Sequence, residues 1–368
     1  MIPLYSTSQI RNLDAFAIKK LQVPGIVLME NAAIGIYEAI IERINTINYV
    51  GIVCGKGNNG GDGYTVARHF SNAGYNVKVV SLGSEKDLSD DCKTNFNVLK
   101  NLSSRRKNLK IKSYKSVKDI NWIKDCDIII DAILGSGFVG QLKEPFCSII
   151  NSLNKISAYK VAIDVPTGLN ADTGFGDLVF NSDLTVTLGE FKKGLFIGNG
   201  YEFCGEVVLK EIGIGRDYFD DINPDAYLIE PEDVLESLPI RGKTVHKYSA
   251  GKVLSIAGSY KYPGAAALTS QSALVSGAGA SILAIPEGSK KLIHKDLLEV
   301  VVESYGNEKA KYFNDDEVLN TLKQKFKWSD VVAIGPGLGR EAETVAAVKR
   351  FLLENKFKFA VIDADAIF

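Results

Sequence analysis

Three short segments hold residues whose types and spacing could do chemistry. The first, GKGNNGGDG over residues 55–63, lies between an apolar run, Tyr49–Cys54, and a helix-period segment expected over 62–72. Its five glycines let backbone N–H groups approach an anionic ligand, and a helix start there favours phosphate. It is not a Walker A loop, because no Gly-Lys-Ser/Thr triplet follows. It also lacks the dinucleotide fingerprint's acidic residue about 20 positions further on, since 79–82 reads VVSL. A tight turn with no ligand is the bland alternative, but such a turn has no need of Asn58, Asn59 and Asp62 among the glycines.

The second and third segments are DAILGSGFVG from Asp131 and AIDVPTGLNADTG around Asp164. Each aspartate is expected at the end of a buried strand, before a Gly-containing turn. A buried carboxylate is costly unless paired, hydrogen-bonded or coordinated. Either residue alone could be a helix cap or turn former; two in equivalent places point to a site. With Asn59 and Thr167 they supply hard oxygen donors, suited to an alkali or alkaline-earth cation rather than a soft metal.

These residues need elements to position them. Residues 8–21 place Ile10, Leu13, Ala17, Ile18 and Leu21 on one helical face, with Thr7 or Ser8 as N-cap. A second helix is expected over 26–44. Strands are expected at 49–54, 77–82, 127–134, 161–165 and 184–188, with helices over 91–102 and 145–156. This βαβ alternation predicts a parallel sheet with helices on both faces. The stretch from Arg216, rich in acids and prolines, reads as a linker over 216–242. A second βα pattern follows: strands at 252–257, 281–285, 330–334 and 359–362, helices at 265–276 and 342–354.

Composition removes several classes of function. Forty-three basic against 44 acidic side chains give no global electrostatic case for nucleic acid or an anionic membrane. Five scattered cysteines without a CxxC pair argue against a disulfide framework or structural zinc. Three histidines, His69, His246 and His294, are too few for a histidine-rich metal site. The N-terminus shows no secretory signal, and the weakly polar stretch 264–285 is too interrupted for a membrane span. A soluble, cytoplasmic protein is expected.

The motifs LMENAA, CGKGNNGGDGYTVARH, DAILGSG, AIDVPTGLNADTG, TVTLGEFKKGL and GEVVLKEIGI, in this order over residues 1–215, resemble the NAD(P)H-hydrate epimerase domain. The resemblance implies a Rossmann-like three-layer αβα fold and conversion of the R epimer of hydrated NADH or NADPH to the S epimer. It implies a potassium ion at Asn59, Asp131 and Thr167, where Thr167 replaces the more usual Ser and keeps a hydroxyl. It implies substrate contacts at Asn58, Asn59, Gly60, Gly61 and Asp62, at Gly135, Ser136, Gly137, Phe138, Val139, Gly140 and Gln141, and at Asp164. Asp164 is the candidate acid/base, and self-association is compatible with the family.

Residues 243–368 are similar to the N-terminal part of the ADP- or ATP-dependent NAD(P)H-hydrate dehydratase domain, a ribokinase-like α/β fold. The matching pieces are HKYSAGKVLSIAG, YPGAAALTSQSALVSGAG, IGPGLG and VIDADA. By resemblance Ala265 and Gly339 would touch the hydrated nucleotide; helix–strand packing is the alternative role for such small residues. The family's adenine-nucleotide site, used with magnesium, and its GTGD-type loop lie further downstream than Phe368. The expectation is therefore a partial second domain without dehydratase activity, its strand residues Val331, Val332, Ile334, Val361 and Ile362 left uncovered. Two rival readings are a non-catalytic nucleotide-binding scaffold module of the same fold and a small-molecule kinase. The first is disfavoured by the joint presence of Asn58, Asn59, Asp62, Asp131 and Asp164, the second by the absent downstream half.

Overall fold

The computed structural model describes every residue except 45, 220, 221 and 294–296, together with the side chains at 216, 217, 315 and 319. His294 therefore lies outside the described residues. The chain divides into two compact units, Met1–Ser237 and Leu238–Phe368.

In the first unit seven parallel strands form one sheet: β2 (Tyr49–Cys54), β3 (Asn76–Ser81), β4 (Leu109–Ser113), β5 (Ile128–Ala132), β6 (Tyr159–Ile163), β7 (Leu184–Leu188) and β8 (Glu206–Lys210). Their order is β4-β3-β2-β5-β6-β7-β8. Successive residues of β2 and β5 point to opposite faces, and both faces are covered. Val50, Ile52, Ile128 and Ile130 pack with α2 (Gly25–Ile41), α3 (Asn58–Asn72) and α4 (Asp90–Ser103). Val53 and Ile129 pack with Ile149, Ile150 and Leu153 of α5 (Phe146–Asn154) on the other face. This is the expected three-layer αβα arrangement. The chain runs outward from β2 to β3 and β4, then returns to β5 on the other side. The crevice between β2 and β5 is therefore a topological switch point, where ligands bind in open α/β sheets.

Four expectations need correction. The first helix, α1 (Thr7–Lys19), is capped by Ser6, not Thr7 or Ser8: Ser6 and Gln9 form a reciprocal capping box. Helix α3 begins at Asn58, four residues earlier than read, so only residues 55–57 form the loop. The stretch read as a linker is partly integrated: β9 (Ala226–Leu228) pairs antiparallel with β1 (Ile2–Leu4). Two short helices, α6 (Gly200–Phe203) and α7 (Pro231–Ser237), complete this unit. The fourth correction concerns the second unit's strands.

That unit has five parallel strands: β10 (Lys252–Ile256), β11 (Ala280–Pro286), β12 (Val301–Tyr305), β13 (Val331–Ile334) and β14 (Ala360–Ile362), in the order β12-β11-β10-β13-β14. Its helices are α8 (Pro263–Val275), α9 (Glu287–Lys290), α10 (Asp315–Trp328) and α11 (Ala342–Glu354). Val332 and Ile334 are covered, packing with Val318, Leu322, Val348 and Phe351 of α10 and α11. Val361 and Ile362 on the edge strand are 55% and 45% exposed, as expected.

Candidate functional site

A concavity of about 730 Å³ in the first unit opens at this switch point. Its size suits a small organic ligand. After β2 the chain turns through Gly55, Lys56 and Gly57 into α3, whose start no side chain caps. That leaves backbone N–H groups at a helix N-terminus free for an anion. A glycine is required at position 60, where a Cβ would lie 2.2 Å from the Gly55 carbonyl oxygen. Asn58, Asn59 and Asp62 line the cavity, whereas Gly60 and Gly61 pack inward, Gly61 against Met29 and Cys92.

Across from α3, the loop after β5 brings Gly135, Ser136, Gly137, Phe138 and Val139 to the cavity. Gly140 and Gln141 of the expected set are not among its lining residues, and Gln141 Nε2 instead donates to Asp177 Oδ2 at 2.7 Å. Asp164 follows β6 directly with a left-handed φ of 68°, a strained conformation for a non-glycine residue. Its Oδ2 accepts from Ser136 N at 3.1 Å, and its Oδ1 lies 2.6 Å from Lys192 Nζ. Burial alone would push the Asp164 carboxyl up. The Lys192 ammonium and the hydrogen bonds from Lys192 and Ser136 outweigh burial and hold it below the usual value.

Lys192, which is absent from the expected set, also lines the cavity. It is 1% exposed, and its Nζ also reaches Thr187 Oγ1 at 3.1 Å and Leu188 O at 2.5 Å. A buried ammonium needs such partners. Asp14 of α1 also lines the cavity, its carboxyl pushed up chiefly by burial. The clue to Lys192 lay in FKKGL, and the clue to Asp14 in an acid beside the apolar face of α1.

Asp131 and Thr167 sit behind the cavity wall, both fully buried. Asp131 Oδ2 accepts from Thr167 N at 2.8 Å, and Oδ1 accepts from Thr167 Oγ1 at 2.8 Å and Ile133 N at 3.1 Å. Burial pushes the Asp131 carboxyl up to about 6 against these hydrogen bonds. Among the described residues, neither polar atom of the buried Asn59 side chain has a hydrogen-bond partner.

In the second unit, Ala265 lies in the first turn of α8 against the loop that follows β13, where a Cβ on Gly337 would meet the Ala265 Cβ at 2.6 Å. Gly339 in that loop donates its N–H to Asp365 Oδ2 at 3.0 Å. The two expected contact residues thus belong to one region at the C-terminal ends of β10 and β13.

Fold and cavity together define a two-unit α/β protein whose first unit carries a polar, ligand-sized cavity at the switch point of a parallel sheet. Residues 25–194 match the family described as YjeF-related protein N-terminus, and residues 253–368 match NAD(P)H-hydrate dehydratase. The chain is 34% identical, over 99% of its length and 69% of the relative's, to a bifunctional NAD(P)H-hydrate repair enzyme of Moorella thermoacetica. It is 35% identical, over 97% of its length and 69% of the relative's, to the enzyme of that name from Archaeoglobus fulgidus. The crystal structure of the yeast protein ynu0 covers 61% of this chain and 96% of its own at a TM-score of 0.51 and 24% identity, a likeness of fold. The chain belongs to the bifunctional NAD(P)H-hydrate repair enzyme family, with both the epimerase and the ribokinase-like dehydratase domains represented.

Proposed function

We propose that the first unit interconverts the R and S epimers of hydrated NADH or NADPH. The observation that carries this reading is the ion pair of Asp164 and Lys192 at the cavity. A carboxylate kept ionised there can exchange a proton with the water that leaves and rejoins the ring carbon next to the ring nitrogen. The uncapped start of α3 would hold the nucleotide phosphates, and the 135–139 loop would close over the ring. Nucleotide is substrate here, so no redox chemistry is involved.

The proposal includes a potassium ion held by Asn59, Asp131 and Thr167. The donor set fits: among the described residues the Asn59 oxygen lacks a partner, and the buried Asp131 carboxylate is hydrogen-bonded only to neutral groups. When bound, the ion would neutralise charge and order the neighbouring loops. Residues 253–368 are proposed to take the same hydrated nucleotide at Ala265 and Gly339; dehydration in this family draws on ADP or ATP with magnesium. Five free cysteines support a reducing, cytoplasmic setting.

Incubation of the purified chain with pure R epimer tests the central reading. Chromatography should show both epimers approaching one equilibrium ratio from either side. An R epimer that converts no faster than in buffer would overturn it.

A further inference from the structure

We propose that Asp62 is a second catalytic residue, the proton donor to the departing hydroxyl of the hydrated nicotinamide ring. The inference rests on the epimerase reading above and assigns a partner to Asp164. Asp62 lies in the second turn of α3, is 8% exposed and lines the cavity that Asp164 and Lys192 also line. Among the described residues, no hydrogen bond or ion pair is made to its carboxyl. Asp164, in the same cavity, has both.

The surroundings of Asp62 determine which of the two carboxyls holds a proton. Burial acts first, disfavouring its charged form, and the Asp164 and Asp14 carboxylates add to this. Lys192 pulls the other way, but its ammonium is engaged with Asp164. The Cys54 and Cys92 thiols beside Asp62 are themselves pushed up by burial and bring no positive charge. Burial and the neighbouring carboxylates thus favour the protonated form of Asp62, while Lys192 and Ser136 favour the ionised form of Asp164, which suits the two to acid and base roles. Two carboxyls driven apart in this way within one cavity can divide acid and base roles.

The step balances. The C6–O bond breaks as the ring nitrogen's lone pair forms the N1=C6 bond, and the hydroxyl leaves as water with the Asp62 proton. Water adds to the opposite face of C6, the N1=C6 pair returns to nitrogen, and the proton of the incoming water passes to Asp164. Transfer of that proton from Asp164 to Asp62 restores both groups. No oxidant or reductant is consumed.

The test uses the whole chain with pure R epimer, comparing wild type, Asp62→Asn and Asp62→Glu. Asp62→Asn replaces a neutral acid by a neutral isostere, so thermal unfolding checks that the fold is kept. Expected are a loss in kcat of ~10²-fold or more with KM changed only a few-fold, and partial recovery in Asp62→Glu, which keeps an acid. Infrared difference spectra at pH 7 should show a protonated-carboxyl band in wild type that Asp62→Asn lacks. Unchanged kcat in Asp62→Asn, or no such band, overturns the assignment while leaving the epimerase reading intact. A wild type that fails to epimerise overturns that reading, and the Asp62 role with it.

Discussion

Lys192 Nζ lies 2.6 Å from Asp164 Oδ1, both side chains are buried, and the contact joins the loop after β7 to the residue that follows β6. The Lys192 ammonium holds down the carboxyl of Asp164, whose backbone is left-handed at the mouth of the sheet. Replacing Lys192 by Met removes the ammonium and leaves burial as the strongest influence on Asp164. Its carboxyl should then move up, and the acid limb of the pH–rate profile should move to higher pH. A limb that stays in place would separate Lys192 from the charge of Asp164.

The same pair has a consequence for stability. The folded Asp164 carboxyl is lower than its unfolded value of about 3.9, so its ionised form stabilises the fold above that pH. The contribution is lost as pH falls through the folded value. Acid unfolding of Lys192→Met, followed by circular dichroism, should begin at higher pH than in wild type. Coincident acid transitions would contradict this.

Part of this site was legible in the sequence and part was not. Asp131 and Asp164 stood out because an unpaired buried carboxylate is costly and two of them fall in equivalent places after apolar runs. Lys192 did not, since lysine in a KKG turn reads as solvated and is almost never fully buried. Helix α3 was started four residues late because Asn-Asn-Gly-Gly has poor helix propensity. Packing overrides that propensity: an added side chain at Gly60 or Gly61 would strike Gly55 or Met29. The β1–β9 pair was invisible because three-residue strands more than 200 positions apart leave no local pattern.

Two glycines of the same motif should behave oppositely. A Cβ at Gly57 meets nothing within 4 Å, whereas one at Gly60 meets the Gly55 carbonyl. Gly57→Ala should change stability by no more than about 0.5 kcal/mol, and Gly60→Ala should cost about 1–3 kcal/mol or more. Urea unfolding of both variants checks this; equal costs would show that the turn after β2 is looser than described.

The proposed cation makes its own prediction. Potassium should raise the thermal midpoint relative to tetramethylammonium at equal ionic strength, and Asn59→Leu should abolish the difference. Equal midpoints in both salts for the wild type would count against the site.

Phe351 anchors the second unit, 1% exposed and against the rings of Phe313, Phe326 and Phe357 at 5.7, 6.0 and 5.8 Å. Phe351→Ala should cost about 3–5 kcal/mol. Hydrogen exchange should accelerate at Val332, Ile334 and Leu322, which share its cluster. Unchanged protection there would place the core of this unit elsewhere.

Proton exchange by Asp164 during epimerisation is put to the test by Asp164→Asn acting on the pure R epimer. Substrate affinity would be measured separately by calorimetry. The rate of approach to the epimer equilibrium should fall ~10²-fold or more while affinity changes only a few-fold. Wild-type turnover by Asp164→Asn, with Lys192 still in place, would contradict it.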